Sequence, residues 1–561
     1  MIKKNREKID RREFLENIGR AAGSSVMLRA MVAMGLGSGL SSCGSSAAES
    51  SVIENNSNVG VSSTDTSIQK SDPVSLGSYT SLKSPRPGDW PASSGTGKSV
   101  IILGCGIAGM TSAYELAKLG YAVTILEATD RAGGRNRTIR SGDVVNELNS
   151  SQTCMFDGST ESYFNPGPAR ISHDHEFLLS YCREFGVVLE NFTNDNRAAL
   201  IHSTAAFDGK PQVAKTISAD LRGNIAELLA TAINQNALDA ELSATDKNNI
   251  LRMLRRFGAL NGGTYKYEGS SRSGFSGQEN VGSRDRDTQI SVNELQDLLA
   301  DSYTIQQVDF SQNKNQQPSM LQPKFGMDKI ASAFYRNITQ YVTTRAVVKQ
   351  IRKTAEGVKI IYEKNGLSLN LEADYCICTI PATVLKDIQN DFSSNHQDEI
   401  NNFQYSNASK IAFQSPRFWE EDHSIYGGIS WTNQDITQIW YPSNALGSKN
   451  GIIVGAYIWG YEAAINFSNQ TPQQRIDSAI SQGSKIHSEY QSKVTNGVSL
   501  AWANIPYQLG AYGVSTASTL LTADDNIFFA GEHLSNLQGW QEGAILSAYH
   551  AINEITKKVH A

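Results

Sequence analysis

The segment SVIILGCGIAGMTSAYELAKLGYAVTILEA, residues 99–128, decides the fold of this 561-residue chain. Its pattern predicts a strand, a glycine turn, a helix and a second strand that ends on Glu127. The turn has the spacing Gly104-x-Gly106-x-x-Gly109, which lets a pyrophosphate approach a helix N-terminus. Glu127 follows the last glycine at a distance that suits a carboxylate for binding ribose hydroxyls. The segment therefore predicts a Rossmann-like dinucleotide site, without distinguishing NAD from FAD.

The composition describes a globular protein with several domains. The length suggests three to four domain-sized units. Hydrophobic residues make up 40% and charged residues 19%, and the formal charge of -6 gives no reason to expect nucleic-acid binding. Six cysteines are too few for a disulfide scaffold, although Cys154 and Cys182 could pair in an oxidising compartment. No Cys or His spacing predicts a metal site.

The N-terminal residues 1–43 predict an export signal. RREFL, residues 11–15, resembles the twin-arginine signal, and LSSC, residues 40–43, resembles a lipobox. That resemblance implies that Cys43 is lipidated and that the protein is a cell-envelope lipoprotein, with this anchor as its only membrane contact. Ordinary cleavage near residues 47–48 is the alternative, and it would give a periplasmic or secreted protein.

Five motifs that follow the glycine turn carry a family resemblance. They are EATDRAGGRNRTIR (127–140), QPKFGMDKIASAF (322–334), DYCICTIPATVLKDI (374–388), SKIAFQSPRFWEED (409–422) and IFFAGEHLSNLQGWQEGAILSA (527–548). With them, the chain from about residue 100 to 547 resembles the flavin amine oxidase family, and within it the secreted bacterial L-amino acid oxidases. The resemblance implies FAD as the cofactor and homodimerisation as a family habit.

The expected fold class is α/β, with a discontinuous FAD-binding Rossmann-like domain, a mixed-sheet substrate domain and an inserted helical domain. The Ser-, Thr-, Asn- and Gly-rich residues 44–97 predict a disordered tether. The expected FAD-binding domain combines residues 98–140, 316–395 and 520–561. The substrate domain combines residues 141–197 and 396–519, and the helical domain covers residues 198–315.

The resemblance implies a set of FAD-binding residues. They are Gly104, Gly106, Ile107, Ala108, Gly109, Glu127, Ala128, Gly133, Gly134, Arg135, Gly167, Pro168, Ala169, Arg170, Val348, Trp502, Glu532, Trp540, Gly543 and Ala544. In this set Glu532 accepts a hydrogen bond from the flavin nucleotide, and the helix after Gly543 directs its positive end at the ring. Monoamine oxidases attach the flavin to a cysteine where this chain has Ala511, so FAD is expected to be noncovalent.

Arg170, in NPGPAR (residues 165–170), is the residue on which substrate class depends. By itself it predicts only a solvated loop charge. NPGPAR, however, resembles the Gly-Pro-x-Arg motif whose arginine binds the substrate carboxylate in L-amino acid oxidases. IWYPS, residues 439–443, resembles the strand that supplies a tyrosine, here Tyr441, to the same carboxylate. A guanidinium matches a carboxylate bidentately, and a phenol adds a third donor.

Lys410 alternates with apolar residues on a predicted strand, so its side chain is expected to point inward. The resemblance implies a catalytic lysine that holds a water near flavin N5; pairing with a carboxylate is the alternative. Tyr512 and Trp540 match the two aromatic residues that flank the amine, and Gly539 and Trp540 would bound the amino group. Either aromatic could instead belong to the core.

These residues predict FAD-dependent oxidative deamination of L-amino acids. In the reaction that the resemblance implies, hydride would pass from the substrate α-carbon to flavin N5, the iminoacid would hydrolyse to a 2-oxoacid and ammonia, and O2 would reoxidise the flavin to give hydrogen peroxide. The alternatives are a primary amine or polyamine oxidase, a tryptophan 2-monooxygenase, and a surface lipoprotein that retains the fold as a binding module.

Overall fold

A computed structural model describes residues 86–87, 90–235, 242–276 and 288–561. The predicted signal and Cys43 lie outside the described residues and stay predictions, as does most of the tether. The strands of the described part are β1 Ser99–Leu103, β2 Ala122–Leu126, β3 Val144–Glu147, β4 Ser150–Thr153, β5 Leu189–Thr193, β6 Leu200–His202, β7 Gln212–Val213, β8 Ser319–Pro323, β9 Val342–Thr343, β10 Val347–Lys353, β11 Val358–Lys364, β12 Leu367–Ala373, β13 Tyr375–Cys378, β14 Gln389–Asn390, β15 Ser409–Pro416, β16 Gly428–Thr432, β17 Gln438–Tyr441, β18 Asn450–Ile458, β19 Thr495–Ala501 and β20 Ile527–Phe529.

The α-helices vary widely in length. Those of the described part are α1 Ile107–Lys118, α2 Glu176–Glu184, α3 Ala214–Asn234, α4 Ala244–Phe257, α5 Leu295–Leu298, α6 Ser302–Asp309, α7 Asp328–Ile338, α8 Ala382–Leu385, α9 Ser394–Asn402, α10 Phe418–Glu421, α11 Tyr461–Ser468, α12 Pro472–Gly483, α13 Tyr490–Lys493 and α14 Gln541–His560. No helix in these described ranges is both long and apolar enough to cross a membrane.

A five-stranded parallel sheet, in the order β20-β13-β1-β2-β9, forms the first layer. The residues of β1 are apolar almost without interruption because both faces of the sheet are covered. Val100 and Ile102 pack in a core with α1, α7 and α14, whereas Ile101 and Leu103 pack towards the four-stranded sheet β12-β11-β10-β14. Since β1 and β2 are parallel neighbours, their carboxyl ends lie at the same edge of the sheet.

A seven-stranded mixed sheet, in the order β19-β15-β18-β17-β16-β6-β7, forms the second unit. Its pairs are antiparallel except β16 with β6. Successive side chains on a strand point to opposite faces. On β17, therefore, Trp440 packs with residues beside the cavity described below, while Tyr441 belongs to the core on the other face. This arrangement confirms the α/β class with a Rossmann-like sheet and a separate mixed sheet.

Two predicted domain boundaries and one possible disulfide differ from the structure. The tether does not extend to residue 97, because the Trp90 indole donates to Asn553 at 2.8 Å and packs on the Rossmann core. The helical block does not begin at residue 198, because β6 and β7 pair within the mixed sheet and α3 starts only at Ala214. Cys154 and Cys182 do not pair: both are free and buried.

Candidate active site

The glycine turn between β1 and α1 forms one end of a deep cavity. Gly104 has a φ of +103°, a conformation that favours glycine, and its N–H donates to the Leu126 carbonyl at 2.8 Å. A Cβ on Gly106 would meet no atom within 4 Å, so its backbone is open to a ligand. Gly109 has a different role, because a Cβ at this position would lie 2.0 Å from the Gly104 carbonyl oxygen. It permits the helix to pack on the turn and, contrary to the sequence prediction, does not line the cavity.

Glu127 projects from the end of β2 into the same part of the cavity. One carboxylate oxygen accepts from the Cys105 N–H at 2.8 Å, and the other accepts from the Thr129 N–H at 2.8 Å and from its hydroxyl. These donors fix the carboxylate beside the glycine turn, and Ala128 continues the wall. The predicted position for binding ribose hydroxyls is therefore part of the cavity.

Arg135 and Glu532 join two distant motifs across the cavity. The Arg135 guanidinium lies 2.8 Å from a Glu532 oxygen and also donates to the Ala511 carbonyl at 2.7 Å. Glu532 accepts in addition from the N–H of Gly539 at 2.9 Å. The ion pair brings the turn after β2 against the segment that precedes α14. Both charged groups line the cavity, where they can bind the phosphate and nucleotide portions of a cofactor.

The cavity has a volume of about 520 Å³. The predicted cofactor and substrate residues along its wall are Gly104, Gly106, Ile107, Ala108, Glu127, Ala128, Gly133, Gly134, Arg135, Gly167, Pro168, Ala169, Arg170, Val348, Lys410, Trp502, Tyr512, Glu532, Gly539, Trp540 and Ala544. An open glycine turn at a helix N-terminus, a carboxylate at the next strand end and an arginine fit a dinucleotide such as FAD. Ala511 in the wall offers no thiol for a covalent flavin bond.

The turn 165–170 crosses the far end of this cavity and is held from several sides. Lys410 donates to the carbonyls of Asn165 and Gly167, at 3.3 and 2.7 Å. The Trp502 indole donates to the Pro166 carbonyl at 3.0 Å. A Cβ on Gly167 would lie 2.1 Å from the Arg135 carbonyl oxygen, so the turn approaches the nucleotide segment closely. These contacts fix the backbone from which Arg170 projects.

Lys410 is 3% exposed, and its ammonium group contacts carbonyls and aromatic rings. Its Nζ lies 4.7 Å from the ring centre of Trp440 and 4.6 Å from that of Tyr457. Burial, reinforced by the positive charge of Arg170, lowers the pKa of Lys410 well below its usual value. The lysine points inward as predicted, and its hydrogen bonds to the turn replace the carboxylate partner that was the alternative.

Arg170 lies between two tryptophans in the cavity wall. Its guanidinium carbon is 4.6 Å from the ring centre of Trp440 and 5.7 Å from that of Trp540. One of its nitrogens donates to the side-chain oxygen of Gln316 at 3.1 Å. Arginine stacks readily on aromatic faces, and such stacking leaves the edge of the guanidinium fork available for hydrogen bonds. Arg170 therefore lies in the cavity wall, as the resemblance implied, and the alternative of a solvated loop charge is wrong.

Tyr441 does not line the cavity, contrary to the sequence prediction. Its hydroxyl lies on the other face of β17, 2.6 Å from the Ser430 hydroxyl and 2.6 Å from Nε2 of His487. The prediction failed by one residue: Trp440, its neighbour, faces the cavity. Gly543 is a third correction: it does not line the cavity, and a Cβ there would meet the Ser535 hydroxyl and the Leu537 carbonyl. That glycine allows a close backbone approach, while α14 already begins at Gln541.

Several cavity residues were missed in the sequence. They are His175, Phe310, Gln316, Gln438, Trp440 and Tyr457. The His175 ring packs edge to face on Trp540, with ring centres 4.8 Å apart, and burial lowers the pKa of this histidine to about 4. Gln438 and Trp440 had a usable signal, because they alternate on one strand and so share a face. Phe310 begins a short 3-10 turn directly after α6, and Gln316 lies in an irregular segment, so neither residue belongs to such an alternating pattern.

Comparison with known proteins identifies relatives over most of the chain. A family model described as flavin containing amine oxidoreductase matches residues 107–556. An L-amino-acid oxidase of Siganus canaliculatus is 25% identical over 484 residues, covering 82% of this chain and 86% of that protein. An L-amino-acid oxidase of Gloydius blomhoffii is 28% identical over 484 residues (82% and 89%). A putative L-amino-acid oxidase of Bacillus subtilis is 25% identical over 500 residues (82% and 95%).

Solved structures share the fold at lower identity. A putrescine oxidase bound to putrescine aligns with a TM-score of 0.53 at 16% identity, covering 82% of this chain and 99% of that one. A cyclohexylamine oxidase from Brevibacterium oxydans aligns with a TM-score of 0.51 at 15% identity (83% and 100%). At such identities the alignment establishes the fold alone.

Proposed function

Because the chain belongs to the flavin-containing amine oxidoreductase family, a family of FAD-dependent oxidoreductases, we propose that it oxidises L-amino acids to 2-oxoacids, ammonia and hydrogen peroxide. The observation that carries the proposal is the position of Arg170 in the cavity wall, between Trp440 and Trp540. A guanidinium at this place can bind a substrate carboxylate through two hydrogen bonds. The names of the relatives point to the same substrate class.

We propose that the other groups that bind the carboxylate differ from those predicted from the sequence. Tyr441 lies outside the cavity, whereas Gln438 and Tyr457 line it. Tyr457 contacts Lys410 and packs edge to face on Trp440, with ring centres 5.2 Å apart. We assign the role of additional donor to the Tyr457 hydroxyl or the Gln438 amide, since both types of group can donate to a carboxylate.

The aromatic residues and Lys410 would complete the substrate end. FAD, when bound, accepts the two electrons that the substrate loses. Trp540 and Tyr512 bound the space for the amino group, and the tryptophan faces also keep water from the reacting atoms. Lys410 fixes the turn that carries Arg170 through two carbonyls. We also assign to Lys410 the role of holding a water molecule, as the family resemblance implies. A separate protein base is not needed in this scheme.

The test compares each amino acid with its decarboxylated amine, for example phenylalanine with phenethylamine and lysine with cadaverine. Peroxide release and oxygen uptake should be faster with the amino acids, and the organic product should be a 2-oxoacid. Arg170→Ala should lower kcat/KM for amino acids about 10- to 100-fold, the equivalent of one charge-assisted contact, with little effect on amines. The flavin absorbance of each variant verifies that the cofactor is retained.

Arg345→Ala is the matched control, because this exposed arginine pairs only loosely with Asp130 at 3.8 Å. It should leave both activities unchanged. Preference for amines, or an Arg170→Ala variant with unchanged kinetics towards amino acids, would overturn the proposal in favour of an amine oxidase. An amide product from tryptophan would instead indicate the monooxygenase reaction.

A further inference from the structure

A group of metal-binding side chains lies on the face of the mixed sheet opposite the cavity. His423 follows α10, and His487 and Glu489 lie in the segment between α12 and α13. One potential ligand atom from each of the three residues lies within 4.8 Å of the others. The cluster shares no residue with the cavity wall.

His487 is the buried member of the cluster, and its ring orientation is fixed. Its Nε2 lies 2.6 Å from the Tyr441 hydroxyl, which in turn lies 2.6 Å from the Ser430 hydroxyl. Its Nδ1 is buried, has no hydrogen-bond partner among the described residues and lies 4.0 Å from a Glu489 oxygen. When Nε2 carries the proton and donates to Tyr441, the Nδ1 lone pair points towards Glu489. Such a second-sphere hydrogen bond is the usual way in which proteins orient a metal-binding histidine.

His423 and Glu489 close the other side of the cluster. The Nε2 of His423 lies 2.6 Å from a Glu489 oxygen, and the two side chains are 31% and 23% exposed. Solvent can therefore reach the cluster at this side. The Phe418 ring packs edge to face on His487 with ring centres 5.3 Å apart, which gives the inner side an apolar wall. The cluster is thus accessible to solvent on the side of His423 and Glu489 and covered by an apolar ring on the side of His487.

We propose that His423, His487 and Glu489 bind one divalent transition-metal ion, with Zn²⁺ as the best match. Two imidazole nitrogens and one carboxylate oxygen form a common zinc ligand set, and a water can occupy the fourth position on the exposed side. Calcium and magnesium are excluded by chemistry, because they prefer sets made of oxygen atoms. Ligands about 2.0 to 2.1 Å from a tetrahedral ion lie roughly 3.4 Å apart. Small rotations of the two partly exposed side chains reach that spacing.

The metal would anchor β17 from behind. Tyr441 touches the ligand His487, while Trp440, the adjacent residue, packs on Arg170 and Lys410 at the cavity. An ion that fixes His487 would therefore also fix the strand that forms one cavity wall. This role is structural and involves no transfer of electrons or atoms, and it does not depend on which substrate the enzyme oxidises.

The test is a titration of the full-chain, flavin-loaded protein with ZnCl2 by isothermal calorimetry after treatment with a chelator. The wild-type protein is expected to bind one equivalent in the micromolar range or tighter and to gain thermal stability. His423→Ala and Glu489→Gln should each weaken binding at least tenfold, because each removes one of three protein ligands. His550→Ala is the matched control: this partly exposed histidine is bonded through one ring nitrogen to the Leu521 carbonyl.

Both variants alter partly exposed side chains, so they should fold, and thermal melts without zinc verify this. Cobalt substitution gives an independent readout, because tetrahedral Co²⁺ with nitrogen and oxygen ligands absorbs visible light. The proposal is overturned if no stoichiometric binding occurs in the wild-type protein. It is also overturned if both ligand variants bind zinc as the wild type does, or if His550→Ala alone weakens binding.

Discussion

The two ends of the cavity are built in different ways. At the nucleotide end, the glycine turn and the Glu127 carboxylate come from one short stretch of chain, and the Arg135–Glu532 ion pair adds a single distant segment. At the substrate end, Arg170, Lys410 and Trp440 project from a turn and two strands that are far apart in the sequence. The nucleotide end depends on how closely the cofactor can approach the backbone of the glycine turn, and the substrate end depends on how its side chains pack. Substitutions at the nucleotide end should therefore reduce flavin binding, whereas substitutions at the substrate end should reduce activity and leave the flavin bound.

The largest effect is expected at the nucleotide end, from Gly109→Ala. The added Cβ would lie 2.0 Å from the Gly104 carbonyl oxygen, which is backbone and cannot move without distorting the turn. We expect the purified variant to retain less than about a tenth of the wild-type flavin and to melt at a lower temperature. Flavin absorbance relative to protein measures this loss. Gly158→Ala, where a Cβ meets no atom within 4 Å, is the control; similar flavin content in both variants would contradict the packing argument.

At the substrate end, Lys410→Met should reduce activity while leaving flavin bound. The change removes the donor to the Asn165 and Gly167 carbonyls and so loosens the turn that carries Arg170. We expect kcat/KM to fall at least tenfold, since small displacements of positioning groups have large kinetic costs. Lys359→Met, on strand β11 and paired with Glu372 at 2.9 Å, should have no effect. If Lys410→Met lost its flavin as readily as Gly109→Ala, flavin binding and substrate positioning would not depend on separate ends of the cavity.

The same difference explains how much could be predicted from the sequence. The Rossmann-like turn and the α/β class were predictable, because glycine spacing and strand patterns are local properties, whereas FAD was predicted from the family resemblance. Arg170 was correctly expected in the cavity through a resemblance, whereas Tyr441 was wrong by one position on β17. A one-residue error on a strand moves a side chain to the opposite face. Gln438 and Trp440 alternate on β17 and so share one face of the strand. The sequence did not show which face of the sheet lines the cavity, so this alternation alone did not decide between Trp440 and Tyr441.

Residues that meet only in three dimensions could not be predicted. The metal-ligand cluster was missed, and no metal site was expected, because His423 and His487 are separated by three strands and two helices. Gln316 likewise reaches Arg170 from a segment without periodic pattern. The last part of the predicted tether is ordered for a similar reason: Trp90 finds its partner Asn553 near the other end of the chain.

Glu542 links the first turn of α14 to the start of α2, and we expect a smaller, pH-dependent effect from Glu542→Gln. Its carboxylate accepts from the backbone N–H groups of Phe177 and Leu178 at the start of α2, while it lies in the first turn of α14. Burial raises the pKa of Glu542 from 4.5 to about 7. The folded state then binds more protons than the unfolded state between these two values, so stability falls as pH rises from about 4.5 to 7.

Thermal melts across this pH range measure the effect. The wild-type melting temperature should fall with rising pH by a few degrees more than that of Glu542→Gln, which cannot ionise at this position. Glu356→Gln, which changes an exposed carboxylate in the turn between β10 and β11, is the control and should follow the wild type. Equal slopes for wild type and Glu542→Gln would show that Glu542 does not titrate in this range.

The smallest effect on catalysis is expected from Tyr441→Phe, and it sharpens the comparison most. If the phenol bound the substrate carboxylate, its removal would raise KM for amino acids about tenfold, as the loss of a hydrogen bond to a charged group does. The hydroxyl instead contacts Ser430 and His487 on the far face of β17. We therefore expect KM for amino acids to change less than twofold and the free energy of unfolding to fall by about 1 kcal/mol.

Tyr457→Phe, which alters a phenol inside the cavity, is the matched comparison and should raise KM if that hydroxyl binds the carboxylate. A large KM effect from Tyr441→Phe alone would mean that β17 presents its other face to the substrate during turnover.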